Sequence, residues 1–210
     1  MSEPKIYDFR PVSFFTSNNI SVSFIIHTKN QFSNSSLIIQ NILNSKNPFE
    51  IILINDNSSS EEYFKEIVSN FKFLKLVNNN KKHSDAINKG VELCENNWIF
   101  YINADFVPAN SMWLNGIINS TMSLKANNVK FISPVIKTLN FFNIYKKEKK
   151  DVVLSDHFLP FNIGFFHKDL LRTIGFLEST DDLLELSKSF YFKMNKRGFK
   201  QSICVSSIFS

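Results

Sequence analysis

The 210-residue chain is expected to fold as an α/β domain: a mainly parallel central sheet with helices on both faces. Three observations predict this. Apolar runs alternate with helical patterns in the order βαβαβαβ over the first half, which argues for right-handed crossovers between parallel strands. The runs are apolar on both faces, as strands lying between helix layers are. Several of them stop abruptly at polar clusters, and open α/β sheets bind ligands in the crevice outside strand ends.

The elements follow in order. After a polar, Pro-containing lead over 1–19, "ISVSFIIHT" alternates and then runs apolar, a first strand ending near His27. "SNSSLIIQNILNS" sets Leu37, Ile38, Asn41 and Ile42 at helical spacing behind Ser and Asn capping candidates. "FEIILIND" is a second buried strand, and "SSSEEYFKEIVSNF" opens with Ser caps and early Glu residues before a helical pattern. "FKFLKLV" is a third strand, "HSDAINKGVELCEN" a third helix and "NWIFYINAD" a fourth strand. Beyond Asp105, "NSMWLNGIINSTMSLKAN" reads as a helix, "VKFISPVI" as a strand and "FLPFNIGFFH" as a strand or loop bent at Gly164. "DDLLELSKSFYFKMNKRG" puts Leu183, Leu184, Leu186, Phe190, Tyr191 and Met194 largely on one face, a long helix with Gly198 past its last turn. There is no internal repeat and no linker, so one domain over 20–210 is expected.

Composition narrows the class. With 43% hydrophobic and 20% charged residues the chain is a folded globule rather than disordered. No apolar stretch approaches the roughly 18 residues of a membrane span. The amino terminus lacks a basic region followed by an apolar one, so no signal peptide is expected; nor is a carboxyl-terminal anchor expected after the last strand. Cys94 and Cys204 are far apart, with no Cys or His at metal spacing, which suits two ordinary thiols in a reducing cytoplasm and argues against a zinc site. The net charge of +5 would attract phosphates, acidic glycans or an anionic membrane face without choosing among them. Much of the excess sits in "YKKEKK" at 145–150, read as a solvated loop.

Three strand ends offer polar groups to one sheet edge: His27 to Asn30, Asn55 to Ser58 and Asn103 to Asp105. Asp56 can accept hydrogen bonds from a base or ribose, or can cap the next helix. Asp105 can serve a hard divalent cation, which recruits one or two carboxylates plus substrate phosphates, or can form a turn before "FVP". His83, His157 and His167 read as surface or packed residues.

"VSFIIHTKN", "FEIILINDNSSS", "HSDAINKGVELCENNWIFYINADFVP", "FNIGFFHKDLLRTIGFLES" and "DDLLEL…KRGFK" occur in the order and rough spacing of family 2 glycosyltransferases. The resemblance covers about residues 20–202. It implies a single Rossmann-like GT-A domain, with a nucleotide-binding half up to residue 105 and an acceptor-binding half over 106–210. By the same resemblance Thr28, Lys29 and Asn30 form the loop beside the nucleotide, with His27 at a usual Pro position and Lys29 where an aromatic residue often stacks. Asp56 matches the carboxylate that contacts uracil, with Asn55 before it. Asn88 lies in a helix motif with Ala86 and Gly90, and Ile87 replaces a frequent Arg.

The family's Asp-x-Asp corresponds to Asn103-Ala104-Asp105. Asp105 is thereby the metal residue, and Asn103 a hydrogen-bonding partner for ribose without the usual charge. Gly164 would let backbone approach the acceptor sugar. Asp182, with Asp181 before it, matches the general base, and an alternative alignment leaves Glu185 nearest.

What the resemblance implies is an inverting, metal-assisted transfer from a nucleotide sugar, a UDP-sugar favoured, to a hydroxyl of a glycan or lipid-linked acceptor, with Mn2+ or Mg2+ as cofactor. The expected location is cytoplasmic, with peripheral membrane contact left open and no nucleic-acid partner. The alternatives are a non-catalytic GT-A-like binding module of a larger glycan-assembly protein and a nucleotidyltransferase. Against the latter, no Gly-rich basic loop follows the first strand.

Overall fold

All seven residues of "VSFIIHT" are buried, as a strand with helices on both sides requires. The computed structural model describes residues 20–45, 49–59, 64, 65, 67, 69, 74–79, 82–110, 113–124, 128–137, 152–155 and 158–210. Its elements are β1 (Val22–Thr28), α1 (Phe32–Leu43), β2 (Phe49–Asp56), β3 (Leu74–Asn79), α2 (His83–Leu93), β4 (Trp98–Asn103) and α3 (Trp113–Leu124), then β5 (Val129–Ile136), β6 (Val152–Ser155), β7 (Ile163–His167), α4 (Asp169–Ile174), α5 (Leu183–Lys196) and β8 (Lys200–Phe209). Between β2 and β3, Phe64, Lys65, Ile67 and Ser69 are helical, in line with the second expected helix. The lead segment, "YKKEKK" and His157 lie outside the described residues.

The described strands form one sheet in the order β3-β2-β1-β4-β7-β5-β8-β6. The first four run parallel, as the alternation predicts. β7 then enters antiparallel between β4 and β5, and β6 pairs antiparallel with β8, which itself runs parallel to β5. The result is a mixed, mostly parallel sheet.

Strand alternation divides the core in two. Phe24 and Ile26 of β1 and Phe100 and Ile102 of β4 face α1 and α3, packing with Ile38, Ile42, Trp113 and Ile117. Ile25, Ile52, Ile54 and Tyr101 face the other way, where Ala86, Ile87 and Val91 of α2 and Phe190 and Met194 of α5 cover them. Gly90 lets α2 lie close: a Cβ there would come 2.9 Å from Ile25 Cγ2 and 3.0 Å from Ile54 Cδ1. No helix among the described residues is long and apolar enough to cross a membrane.

Two local expectations change. α1 begins at Phe32, with Gln31 at its N-cap and no side chain capping it, so the expected Ser and Asn caps fall inside the first turns. There Ser35 Oγ donates to the Gln31 carbonyl at 2.7 Å and hydrogen-bonds Thr28 Oγ1 at 3.0 Å. Gly164 makes no bend; it lies within β7, opposite Tyr101 of β4. Its hydrogen faces the Phe131 ring, and a Cβ would stand 2.2 Å from two ring atoms.

Phe131 is enclosed by Phe161, Phe166 and Phe190, with ring centroids 5.1–6.2 Å away, and so cannot swing aside. Gly164→Ala is therefore expected to cost about 1–3 kcal/mol in urea unfolding, the range for overpacked cores. Adding Phe131→Leu in the same chain should return part of the loss.

Candidate active site

Parallel register brings three strand ends level. Thr28 pairs with Asn55 across β1 and β2, and His27 pairs with Asn103 across β1 and β4. Ala104 N continues that ladder by donating to His27 O at 2.8 Å. β1 thus has β2 on one side and β4 on the other, the switch point at which α/β sheets open a crevice.

Alternation then decides which side chains share a face. His27 continues the row of Ile25, Asp56 that of Ile52 and Ile54, and Asn103 that of Tyr101, all on the α2 side. There His27 is 3% exposed, its Nδ1 3.3 Å from Tyr101 Oη and its Nε2 3.4 Å from Asp56 Oδ2. The approach to Asp56 lacks hydrogen-bond geometry, so His27 Nε2 is buried without a hydrogen-bond partner. Tyr101 Oη lies 2.9 Å from His83 Nε2, at the start of α2, and the two imidazole centroids are 4.1 Å apart. Asn79 Nδ2 donates to Asp56 Oδ1 at 2.9 Å. A groove between β3 and α2, lined by Val77, Asn78, Asn79, Ala86 and Asn88, shares Asn79 with this cluster.

The environment sets the charge states. The neighbouring His27 holds the Asp56 carboxyl below its ordinary value against the opposing effect of burial, with Asn79 and Lys29 assisting. Burial, reinforced by His27, pushes the His83 imidazole down to about 3. Burial also raises the Tyr101 phenol well above its usual value. At neutral pH Asp56 is a carboxylate, His83 a neutral imidazole and Tyr101 a neutral phenol.

At the end of β4, Asp105 is exposed. Its backbone N donates to Asn103 Oδ1 at 3.1 Å, an Asx turn, so the amide at Asn103 keeps the turn a carboxylate would make. Gln31 Nε2 donates to Asp105 Oδ1 at 3.0 Å, and Asn34 Nδ2 to Ala104 O at 2.7 Å. α1 therefore fixes this turn. The oxygen donors here, one exposed carboxylate beside amide oxygens, suit a hard, largely hydrated cation such as Mn2+ or Mg2+.

The other expected site residues have partners within the protein. Thr28 is 1% exposed and turned to α1, where it bonds Ser35. Asn30 adopts φ 58°. Its Oδ1 accepts from Ser59 N at 2.8 Å and its N donates to Ser58 Oγ at 2.9 Å, which fastens the β1 loop to the β2 loop. Asn88 donates to Leu177 O at 2.8 Å and accepts from Leu177 N at 3.0 Å. Together with the Ser84–Thr180 bonds it anchors the segment before α5 on α2. Lys29 remains exposed and within electrostatic reach of Asp56.

The two adjacent acids divide. Asp181 accepts from Lys82 Nζ at 2.7 Å and from His83 N at 2.9 Å, and Lys82 holds its carboxyl low. Asp182 caps α5, its Oδ1 accepting from Leu184 N at 2.8 Å and Glu185 N at 3.1 Å. Glu185 accepts from Thr180 Oγ1 at 3.0 Å. Sequence reasoning placed His27 at this edge without a role of its own, and did not assign His83, Tyr101 or Gln31 to the site. The alternation that puts His27 and Tyr101 on one face was readable; the approach of His83 from α2 was not.

The mixed, mostly parallel sheet with helices on both faces matches the GT-A fold. The sequence profile of glycosyl transferase family 2 matches residues 23–175, and the chain belongs to that family. Among solved structures, it resembles the mannosyltransferase PcManGT from Pyrobaculum calidifontis in complex with GDP-Man and Mn2+, with a TM-score of 0.69 and 16% identity. The likeness covers 89% of this chain and 56% of that one, so the chain spans little more than half of that enzyme. No curated protein sequence matches.

The charge states make the cluster acid-labile. Between pH 6.5 and about 3 the unfolded chain protonates His83 and the folded chain does not, so stability is lost as pH falls through that window. The Asp56 contribution is present above its unfolded value of 3.8 and lost only below it. Urea stability should therefore decline from pH 7 to pH 4, and His83→Gln should flatten that decline.

Proposed function

We propose that the domain transfers a sugar from a nucleotide-sugar donor, a UDP-sugar favoured, to a hydroxyl of a glycan or lipid-linked acceptor, with inversion and with a divalent metal ion. The observation that carries this reading is Asp105 at the exposed end of β4, with Asp56 and Lys29 across the same switch-point crevice. Residues up to 105 would form the nucleotide half and those beyond it the acceptor half.

Asp105, beside the Asn103 amide, would hold Mn2+ or Mg2+, which when bound neutralises charge on the leaving diphosphate. Asp56 accepts a hydrogen bond from the base, as an anionic acceptor fixed by Asn79. Lys29 supplies positive charge near the phosphates. Asp182 takes the proton of the attacking hydroxyl, a step worth roughly 10²–10⁴ in rate. Its cap bonds to Leu184 and Glu185 hold the carboxylate at the start of α5. The chain reads as a transferase that has kept the metal carboxylate and exchanged its partner for an amide.

Two measurements check the assignments. In calorimetry, UDP should bind more tightly with Mn2+ than without it, and Asp105→Ala should abolish that enhancement while metal-free affinity is retained. Asp182→Asn keeps a good N-cap, so the fold survives; donor binding should be unchanged and transfer should fall by about 10²–10⁴. Transfer at near wild-type rate in Asp182→Asn would reject Asp182 and direct the search to Glu185. Absence of transfer or donor hydrolysis in the wild type with every nucleotide sugar would favour the binding-module reading.

A further inference from the structure

The polar cluster behind the crevice has a shape that nucleotide binding does not explain. Two polar groups sit at opposite ends of β1 and β2, and they differ in kind. At the far end, buried Glu50 accepts from Ser23, from the backbone of Glu95 and Asn96, and from Lys75; its lone pairs are met, as a structural knot requires. At the crevice end, His27 Nε2 is buried without a hydrogen-bond partner and faces Asp56 at 3.4 Å. Among the described residues, His27, Asp56 and His83 form the one group of three side chains whose ligand atoms all lie within 4.8 Å of one another.

We propose that His27, Asp56 and His83 bind a zinc-like divalent cation, at a site separate from Asp105, and that its occupancy withdraws Asp56 from the nucleotide. Donors about 2.0–2.1 Å from a tetrahedral zinc ion stand roughly 3.3 Å apart, which His27 Nε2 and Asp56 Oδ2 already meet at 3.4 Å. Two imidazoles and one carboxylate favour zinc over the oxygen-seeking magnesium ion. Tyr101 Oη lies between the rings, 3.3 Å from His27 Nδ1 and 2.9 Å from His83 Nε2. A cation would displace the proton of His27 Nε2; with Nδ1–H turned to this oxygen, His27 then offers Nε2 to the ion, the outer-shell arrangement that fixes ligating histidines. The absence of local Cys or His spacing in the sequence is no obstacle, because the three ligands come from β1, β2 and α2.

The antagonism with nucleotide rests on the function proposed above; the metal site does not. A carboxylate oxygen on the cation no longer accepts from a base, and linkage makes the effect reciprocal: zinc weakens UDP by the factor by which UDP weakens zinc.

The test uses the full chain and Zn2+ alone, titrated in competition with a chromophoric chelator at pH 7.5. One equivalent should bind to the wild type, and His83→Ala should bind at least about 100-fold more weakly. Asp105→Ala and His167→Ala should bind zinc like the wild type, the latter because His167 and Asp169 form a separate pair 3.4 Å apart. His83 is only partly buried, and a metal-free thermal transition verifies that the variant folds; if it does not, Asp56→Asn is read in its place. Equal zinc affinity in wild type and variant, or no stoichiometric zinc in the wild type, would overturn the site. Stoichiometric zinc with unchanged UDP affinity would overturn the antagonism, and with it Asp56 as the base contact, while leaving the metal site standing.

Discussion

The candidate site depends on β1 being held parallel between β2 and β4. That arrangement sets Thr28 beside Asn55 and His27 beside Asn103 at one edge, and the pleat then sends His27, Asp56, Tyr101 and Asn103 to the same face. Seven consecutive buried residues in β1 fix the register, because a one-residue slip would exchange its two apolar faces and carry His27 to the α1 side. The close seat of α2 on β1, permitted by Gly90, brings His83 to within ring contact of His27. Packing and chemistry share one constraint.

The two ends of the central strands show how the fold separates structural polarity from functional polarity. A buried polar group left without a partner costs about 1–3 kcal/mol, so the satisfied carboxylate of Glu50 is what a stable sheet needs. The His27 end retains a buried ring nitrogen without a hydrogen bond beside a carboxylate held in its charged form. Around this core the loops are fastened rather than loose: Asn30 to Ser58 and Ser59, Gln31 to Asp105, and Asn88 to Leu177. The exposed charges of Lys29, Asp105 and Asp182 therefore stand on fixed backbone, as a preorganised site requires.

Much of the fold was legible because buried parallel strands declare themselves as apolar runs. β1, β2, β4 and β5 fall within "ISVSFIIHT", "FEIILIND", "NWIFYINAD" and "VKFISPVI". The antiparallel insertion of β7 was not legible, since direction is set by long-range pairing and not by the run itself. The α1 caps failed for a local reason: its Ser and Asn side chains found partners inside the helix and across to Thr28 and Ala104. Residue type singled out Asp56 and Asp105 as candidates for the site. The partners of Thr28, Asn30 and Asn88 were not legible, because small polar side chains serve backbone as readily as ligands. His83 was hidden because its neighbours His27 and Tyr101 are brought to it by tertiary packing.

Under the proposed function, nucleotide and metal meet at the crevice formed by the ends of β1, β2 and β4. Paramagnetic relaxation by Mn2+ in the presence of UDP, read on the backbone amides of the isotope-labelled chain, locates that meeting point. Broadening should be strongest at residues 28–31, 56–59 and 103–106 and weakest at β6, at the far edge of the sheet. Broadening strongest at β6 or β8, or none above that of Mn2+ with a chelator, would rule the crevice out.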